Sequence, residues 1–331
     1  MAREEPNLVL GGEGSGHFGH AGRPGEVGGS ASSGTLPLIR KRLSSDLGPT
    51  WGSLIKHQEP GPLTKKGKPT IKTTWTTEEG KELPKHLNVP IPPAWENVRY
   101  NKDKTSECVV TGRDAKGRKQ MLYSEGHWQR VGQEKFNRVK KLALKSKALR
   151  ERLGKESKTS DDATVLRLIH DTGIRPGSEV DTGGEKKAYG ATTLRGYHVQ
   201  QTDKGEVWLR FVGKEGVKWN LPIRDKDIAK DLLIRARKAD RGPLFNASAT
   251  SIRGYLKKIV GDEFKVKDIR TLKGTTLAIE RVTALPKPTT MKQYTKQVKD
   301  VAKYVSKHLG NTPAVALKSY INPYVFSNWR I

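Results

Sequence analysis

Cysteine, acidic residues and long apolar runs are all scarce in this 331-residue chain. The single cysteine, Cys108, excludes an internal disulfide and a zinc site built on several cysteines, and it fits a reducing, intracellular setting. No stretch approaches the roughly 18 apolar residues of a membrane span, and the N-terminus lacks the basic-then-apolar profile of a secretion signal. We therefore expect a soluble intracellular protein with no membrane partner.

Motifs of nucleotide- and metal-dependent enzymes are also missing. The stretch GRDAKGRK lacks the spacing of a phosphate-binding P-loop and the Ser/Thr that would hold magnesium. No HExxH is present, and no carboxylate cluster indicates a two-metal nuclease. We expect a protein that needs no metal, no cofactor and no nucleotide.

Positive charge is abundant, with 62 Lys and Arg against 35 Asp and Glu and a formal net charge of +27. Such an excess attracts polyanions, which makes nucleic acid the first candidate partner. Between Thr111 and Lys158 there are fifteen basic residues against five acidic ones, so the charge concentrates where two predicted domains join. A basic, soluble or ribosome-associated protein is the alternative at this point.

Composition and periodicity predict a flexible tail followed by two domains. Residues 1–35 are the tail, because their Gly- and Ser-rich sequence offers no core. Residues 36–128 are interrupted by Pro and Gly and contain strand-like runs such as ECVVTG and KQMLYS, which predicts a small, mostly β domain. Residues 129–331 follow as the larger domain. The glycine-rich tail resembles runs in phage-encoded proteins, which favours a viral or phage source.

The larger domain is predicted to be mainly helical with a small antiparallel sheet inserted, giving an α+β fold. A basic helix follows Trp128, with Gly154 as its predicted C-cap. A second helix begins after Ser160, and two hairpins turn at TDKG and GKEG. Five more helices are predicted at about 225–240, 248–261, 267–281, 290–309 and 313–321.

The last of these helices presents a tyrosine. Thr312 is its predicted N-cap, Pro313 its first residue and Pro323 its stop signal, so Tyr320 lies near its C-terminal end. A metal-free cleavage of a phosphodiester needs a protein nucleophile, cations on the non-bridging oxygens and a proton donor for the leaving oxygen. Tyr320 is the candidate nucleophile. Tyr324 competes for this role, but it follows Pro323, so its direction is less fixed.

Arginine and lysine side chains could supply the other two functions. Arg175 in TGIRPGSE and Arg270 in KDIRTLKGT can each grip phosphate oxygens through a planar guanidinium. Lys214 in the tight GKEG turn can reach into a groove and donate a proton to a departing 5′-oxygen. Each of these residues alone is more often an ordinary surface or core residue, so the hypothesis rests on their combination.

That combination resembles the type IB DNA topoisomerases, in particular their poxvirus-like and bacterial branch. The motifs that carry the resemblance are GRDAKGRKQ, TGIRPGSE followed by GATTLRGYHV, FVGKEGVKWN, KDIRTLKGT and LGNTPAVALKSY, which occur in the order of the family. The resemblance implies relaxation of supercoiled duplex DNA through a 3′-phosphotyrosyl link at Tyr320, without ATP. It also implies a monomer that clamps the DNA and works in the cytoplasm or nucleoid.

The resemblance assigns further residues and shows two departures. Asn311 stands where poxvirus members carry histidine, and Lys267, three residues before Arg270, is a secondary catalytic candidate. Met121 stands where tyrosine is expected in the segment that reads DNA. The candidate DNA-binding residues are Arg113, Lys116, Arg118, Lys119, Gln120, Tyr123, Tyr189 and Thr192.

Two alternatives stay open. A tyrosine recombinase or integrase uses the same chemistry, but it typically carries His at the position of Lys267. A catalytically silent DNA-binding protein of the same fold would have no need of Arg175, Lys214, Arg270 and Tyr320 together.

Overall fold

The structure, a computed structural model, describes residues 50–64, 67–87, 89–178 and 188–329. These residues form two compact units, divided between Gln133 and Glu134. The predicted tail, residues 1–35, and the beginning of the predicted small domain lie outside the described residues. The predicted domain limits, 36–128 and 129–331, stay predictions.

The first unit is built on a five-stranded antiparallel sheet with the strand order β2-β1-β3-β4-β5. The strands are β1 (Trp51–Gly61), β2 (Thr70–Thr77), β3 (Glu96–Asn101), β4 (Cys108–Arg113) and β5 (Lys119–Tyr123). Its small core includes Leu54, Trp95, Val98 and Val110. The predicted strand runs ECVVTG and KQMLYS therefore form β4 and β5, a hairpin that closes through the GRDAKGRKQ turn.

A long basic helix, α1 (Glu125–Glu156), begins in the first unit and continues into the second. Its apolar side buries Val139, Leu142, Leu149 and Leu153. The prediction that Gly154 caps this helix is wrong, because the helical hydrogen bonds continue past it and the Ser157 amide still donates to the Leu153 carbonyl. Packing of Leu149 and Leu153 outweighs the weak helix propensity of one glycine.

Among its described residues, the second unit contains six further α-helices and a three-stranded antiparallel sheet of order β6-β7-β8. The strands are β6 (Val199–Gln201), β7 (Val207–Val212) and β8 (Lys218–Ile223). The helices are α2 (Asp161–Thr172), α3 (Lys226–Ala239), α4 (Ala249–Val260), α5 (Val266–Thr283), α6 (Met291–Leu309) and α7 (Pro313–Ser319). The predicted fold class, α+β with a sheet inserted in a mainly helical domain, is confirmed.

Helix α5 belongs to both hydrophobic cores of the second unit. Its first half contributes Val266, Ile269 and Leu272 to the core that contains α2 and the sheet. Its second half contributes Leu277 and Ala278 to the core that contains α6 and α7. The side chains at the start of α5, Lys267 and Arg270 among them, are thereby held at the junction of these two cores.

Candidate active site

Helix α7 fixes the position of Tyr320. The Thr312 hydroxyl accepts from the Val315 amide and Pro313 opens the helix, as predicted. The helix ends at Ser319, earlier than predicted and before Pro323 is reached. Tyr320 is the C-cap residue, its amide still donates to the Ala316 carbonyl, and its side chain is 4% exposed.

A close approach between α5 and the end of α7 holds the backbone of Tyr320. The Thr275 hydroxyl donates to the Tyr320 carbonyl at 3.2 Å. A Cβ on Gly274 would lie 2.8 Å from that carbonyl oxygen, so this position of α5 requires glycine. The tyrosine is therefore fastened through its main chain while its phenol ring points toward basic side chains of α5.

Arg270 is buried beside this ring, with 1% of its surface exposed. Its guanidinium donates to the Gly173 carbonyl and, at 3.0 Å, to the Leu309 carbonyl, and its Cζ lies 5.2 Å from the centroid of the Tyr320 ring. Gly173 adopts a left-handed conformation as the C-cap of α2, with φ of 71°. Burial, together with the charge of Arg175, lowers the pKa of Arg270 to about 10, so it remains charged at neutral pH.

Three cations act on the Tyr320 phenol. Burial alone would raise its pKa, but the charges of Arg270, Lys267 and Arg175 outweigh that effect and lower the pKa below its ordinary value. The Lys267 ammonium lies 5.8 Å from the ring centroid, one turn before Arg270 on α5. The structure therefore brings three predicted cations, Arg270, Lys267 and Arg175, together around the phenol of the predicted nucleophile.

The loop that carries Arg175 is hydrogen-bonded to the backbone of residues 191 and 192. The carbonyl of Arg175 accepts from the Ala191 amide at 2.8 Å, and the carbonyl of Pro176 accepts from the Thr192 amide at 2.7 Å. The buried Thr192 hydroxyl also donates to the Pro176 carbonyl, at 3.0 Å. In this structure Thr192 thus supports the Arg175 loop, and its DNA contact stays a prediction.

Lys214 lies exposed in the turn between β7 and β8, as the GKEG pattern predicts. The turn is tight because Glu215 and Gly216 both adopt positive φ, 60° and 75°. The charges that lower the pKa of Tyr320 come from Arg270, Lys267 and Arg175, whereas Lys214 is connected to the site through its turn.

Trp219 makes that connection. A Cβ on Gly213 would lie 2.7 Å from the Trp219 Nε1, and a Cβ on Gly310 would lie 2.4 Å from the Trp219 Cζ2. The indole therefore fits between the backbone before Lys214 and the backbone before Asn311. Its ring also stacks on Phe211 of β7, with centroids 5.8 Å apart.

Asn311 occupies the corner between α6 and α7. Gly310 ends α6 in a left-handed conformation, and the backbone N–H of Asn311 donates to the Ser306 carbonyl at 3.2 Å. The Oδ1 and Nδ2 atoms of its side chain are buried and have no hydrogen-bond partner among the described residues. Buried amides are nearly always paired, so this one is suited to an additional polar group.

Lys135 of α1 is a member of this site that sequence reasoning missed. Its ammonium donates to the Ser319 carbonyl at 3.1 Å, one residue before Tyr320. Burial lowers its pKa to about 8, and the charge of Lys267 acts in the same direction. In the sequence it is one of many lysines on a basic helix, so only its position beside the apolar residue Phe136 could have indicated burial.

The predicted DNA-binding residues of the β4–β5 turn form a network around Asp114. Arg118 donates to this carboxylate at 2.8 Å and Gln120 at 2.9 Å, while Arg113 donates to the Gly117 carbonyl. Burial acts to raise the pKa of Asp114, but the hydrogen bonds from the Arg118 and Gln120 side chains and from backbone amides lower this pKa to about 2. Lys116 and Lys119 are exposed in the same hairpin.

Two predicted DNA-binding tyrosines lie in aromatic clusters. Tyr123 stacks on His127 with ring centroids 4.2 Å apart, and its hydroxyl points to the Met121 sulfur at 3.3 Å. Tyr189 shares a hydroxyl contact of 3.0 Å with Tyr197, and its ring meets His198 edge-on. Burial, with the charge of Arg195, lowers the pKa of His198 to about 4.

Within the described ranges, no three His, Cys, Asp or Glu side chains are grouped closely enough to hold a metal ion. No helix in the described part of the chain is both long and apolar enough to cross a membrane.

Comparison with known proteins places the site in a family context. The family model described as eukaryotic DNA topoisomerase I, catalytic core, matches residues 124–323, more than half of the chain. This span contains every residue around the Tyr320 phenol. The chain is also similar to DNA topoisomerase 1B of Acanthamoeba polyphaga mimivirus, with 29% identity over 267 residues that cover 74% of this chain and 79% of the relative.

Proposed function

This chain belongs to the type IB DNA topoisomerase family, and from that premise we propose that it relaxes supercoiled duplex DNA through a 3′-phosphotyrosyl intermediate at Tyr320. The observation that carries the proposal is a buried phenol with the Arg270 guanidinium 5.2 Å and the Lys267 ammonium 5.8 Å from its ring centroid, where these charges and that of Arg175 lower its pKa. A buried tyrosine without a function has no need of three cations. Such an arrangement favours the phenolate, which is the nucleophilic form.

In the cleavage step, the Tyr320 oxygen attacks the phosphorus of one DNA strand and loses its proton to solvent. The new bond joins this oxygen to phosphorus, and the bond between phosphorus and the 5′-oxygen breaks. Arg175 and Arg270 stabilise the negative charge that builds on the non-bridging oxygens. The unpaired amide of Asn311 donates a further hydrogen bond to one of these oxygens.

Lys214 protonates the leaving 5′-oxygen. Its place in the tight turn lets a long side chain extend away from the protein, which suits a proton donor that enters a groove. Lys267 is the secondary candidate, since its ammonium lies on the same face of α5 as Arg270. Resealing runs in reverse: the 5′-hydroxyl attacks phosphorus and the Tyr320 oxygen leaves.

The reaction needs no ATP, because the phosphotyrosyl bond retains the free energy of the phosphodiester. The broken strand rotates about the intact one before resealing, which releases superhelical strain. Phosphate contacts from the basic hairpin around Arg113, Lys119 and Gln120 and from Tyr189 supply affinity for the duplex. We propose that the enzyme acts as a monomer on intracellular DNA, with a viral or phage source.

A plasmid assay tests the proposal. Negatively supercoiled plasmid is incubated in EDTA without ATP with the wild type, Tyr320→Phe and the matched control Tyr324→Phe. We expect the wild type and Tyr324→Phe to relax the plasmid and to form an adduct trapped by SDS, and Tyr320→Phe to do neither. Relaxation by Tyr320→Phe, or no relaxation by a wild type that binds the plasmid, contradicts the proposal.

A further inference from the structure

The end of α7 depends on a residue of α1. A helix leaves its last carbonyls without partners in the helix, and a buried end needs donors from elsewhere. The carbonyl of Ser319, the last residue of α7, receives the Lys135 ammonium at 3.1 Å. Tyr320 follows at once, with a backbone conformation that departs from the helix. Lys135 therefore acts at the point where the chain turns toward the nucleophile.

Helix α1 makes a second contact with the same site, one turn further on. Arg138 donates to the Asp268 carboxylate at 3.1 Å. Asp268 is buried, and it also accepts from the Lys265 amide at the start of α5. This carboxylate lies between Lys267 and Arg270 in the chain. Helix α1 thus holds the end of α7 through Lys135 and the beginning of α5 through Arg138.

The partial burial of Lys135 is unfavourable for folding. Its pKa is lowered to about 8 by burial and by the charge of Lys267, while Asp268 acts in the opposite direction and Arg138 adds to the repulsion. A methionine would fill similar space without a buried charge. Groups that cost stability beside reacting residues are characteristic of functional sites.

We propose that Lys135 is a positioning residue for the nucleophile, which it directs by fixing the Ser319 carbonyl against α1. This inference rests on the proposed function. Lys135 acts on the main chain before Tyr320, whereas Lys267 and Arg270 act on the phenol itself. Its loss therefore slows attack on phosphorus and leaves DNA affinity and departure of the 5′-oxygen unchanged.

The test compares Lys135→Met and Lys135→Arg with Lys147→Met, an exposed lysine of the same helix as the matched control. Single-turnover formation of the covalent adduct is measured on one duplex with an ordinary 5′-oxygen and on one with a bridging 5′-sulfur, which leaves without a proton donor. Affinity is measured with each substitution combined with Tyr320→Phe. Thermal melting reports the stability of each variant.

We expect Lys135→Met to form the adduct up to about 10²-fold more slowly on both duplexes, as small misplacements of reacting groups do. Its affinity should equal that of the control and its melting temperature should be equal or higher. Lys135→Arg, which keeps a donor and a charge, should recover most of the rate. The 5′-sulfur should not rescue Lys135→Met, because the defect lies in the attack.

The inference is overturned if Lys135→Met cleaves as fast as the wild type, if it loses affinity in proportion to its rate, or if the 5′-sulfur duplex restores its rate. Failure of Lys135→Arg to recover any rate, with a lowered melting temperature, would also overturn it by indicating a packing role alone. If the wild type and Lys147→Met form no adduct, the proposed function fails and this inference fails with it.

Discussion

The two sides of the candidate active site are built differently. Tyr320 and Arg270 lie in the interior, fastened by carbonyl and hydroxyl groups of α2, α5 and α6. Lys214 lies exposed in a hairpin turn, and the backbone before it packs against Trp219. In the proposed mechanism, attack on phosphorus thus depends on buried, fixed groups, and protonation of the leaving oxygen depends on a side chain at the surface.

This difference separates two kinds of mutational effect. A change on the buried side alters both charge and packing, since each group there has several partners. A change in the exposed turn removes one chemical function and leaves the fold intact, because solvated turn residues contribute little to stability.

The largest effect is expected at Arg270. Arg270→Ala removes the charge that lowers the pKa of Tyr320 most and leaves the Gly173 and Leu309 carbonyls without their donor. We expect adduct formation to fall by about 10³-fold or more, in the range of a lost oxyanion contact. Arg270→Lys should recover only a small part of that rate, because an ammonium cannot span both carbonyls and a phosphate oxygen.

Single-turnover cleavage of a duplex measures both variants, with circular dichroism to confirm that they are folded. Equal rates for Arg270→Lys and the wild type would contradict the account, since they would mean that a point charge is sufficient.

The next effect, at Lys214, concerns the leaving group alone. Lys214→Ala should slow cleavage by about 10² to 10⁴-fold, the usual contribution of a general acid. A bridging 5′-sulfur should restore the rate, because a thiolate leaves without a proton. Lys218→Ala, an exposed lysine of the same hairpin, is the control and should behave like the wild type.

Persistence of the defect on the 5′-sulfur duplex would instead assign Lys214 to the phosphate oxygens. That result would mean that the exposed turn, like the buried groups, acts on the phosphate and not on the leaving oxygen.

A smaller effect on the cleavage rate is expected at Trp219, which packs between the Lys214 turn and the backbone before Asn311. Trp219→Phe leaves a gap between the backbones at Gly213 and Gly310, so the Lys214 turn loses its fixed position. We expect cleavage to slow by about 10-fold, with partial rescue by the 5′-sulfur. Trp208→Phe on β7 serves as the control, and equal rates for the two variants would show that the connection has no catalytic consequence.

Local signals in the sequence predicted where the proposed catalytic residues lie, but they did not predict the contacts that hold these residues in place. Thr312 and Pro313 determine the start of α7, and GKEG determines the turn of Lys214, since caps and turns depend on neighbouring residues. Contacts of Arg270 with Gly173 and Leu309, and of Lys135 with Ser319, join distant parts of the chain. Gly154 gave a wrong helix end for the same reason, because long-range packing outweighed a local preference.

The smallest effect concerns the pH dependence of the free energy of unfolding, and it comes from His198. His198 is buried among Tyr189, Tyr197 and Phe211, and its folded pKa of about 4 lies below the ordinary value of 6.5. The unfolded chain therefore binds a proton that the folded one does not, and stability falls as the pH is lowered from about 6.5 to 4. Between pH 7 and pH 5 we expect a loss of about 2 kcal/mol from this group.

Urea unfolding at the two pH values, for the wild type and His198→Phe, measures this contribution. The variant should lose less stability than the wild type over that interval. An equal loss in both proteins would mean that His198 is protonated in the folded state.

The central claim is that the buried side of the site lowers the pKa of Tyr320 before any DNA is bound. It is tested by NMR titration of protein labelled with ¹³C at the tyrosine Cζ, in which the Tyr320 signal is assigned by its absence from Tyr320→Phe. We predict a midpoint below the ordinary value of 10, and a higher midpoint in Lys267→Met. A midpoint at or above 10 in the wild type would contradict the account.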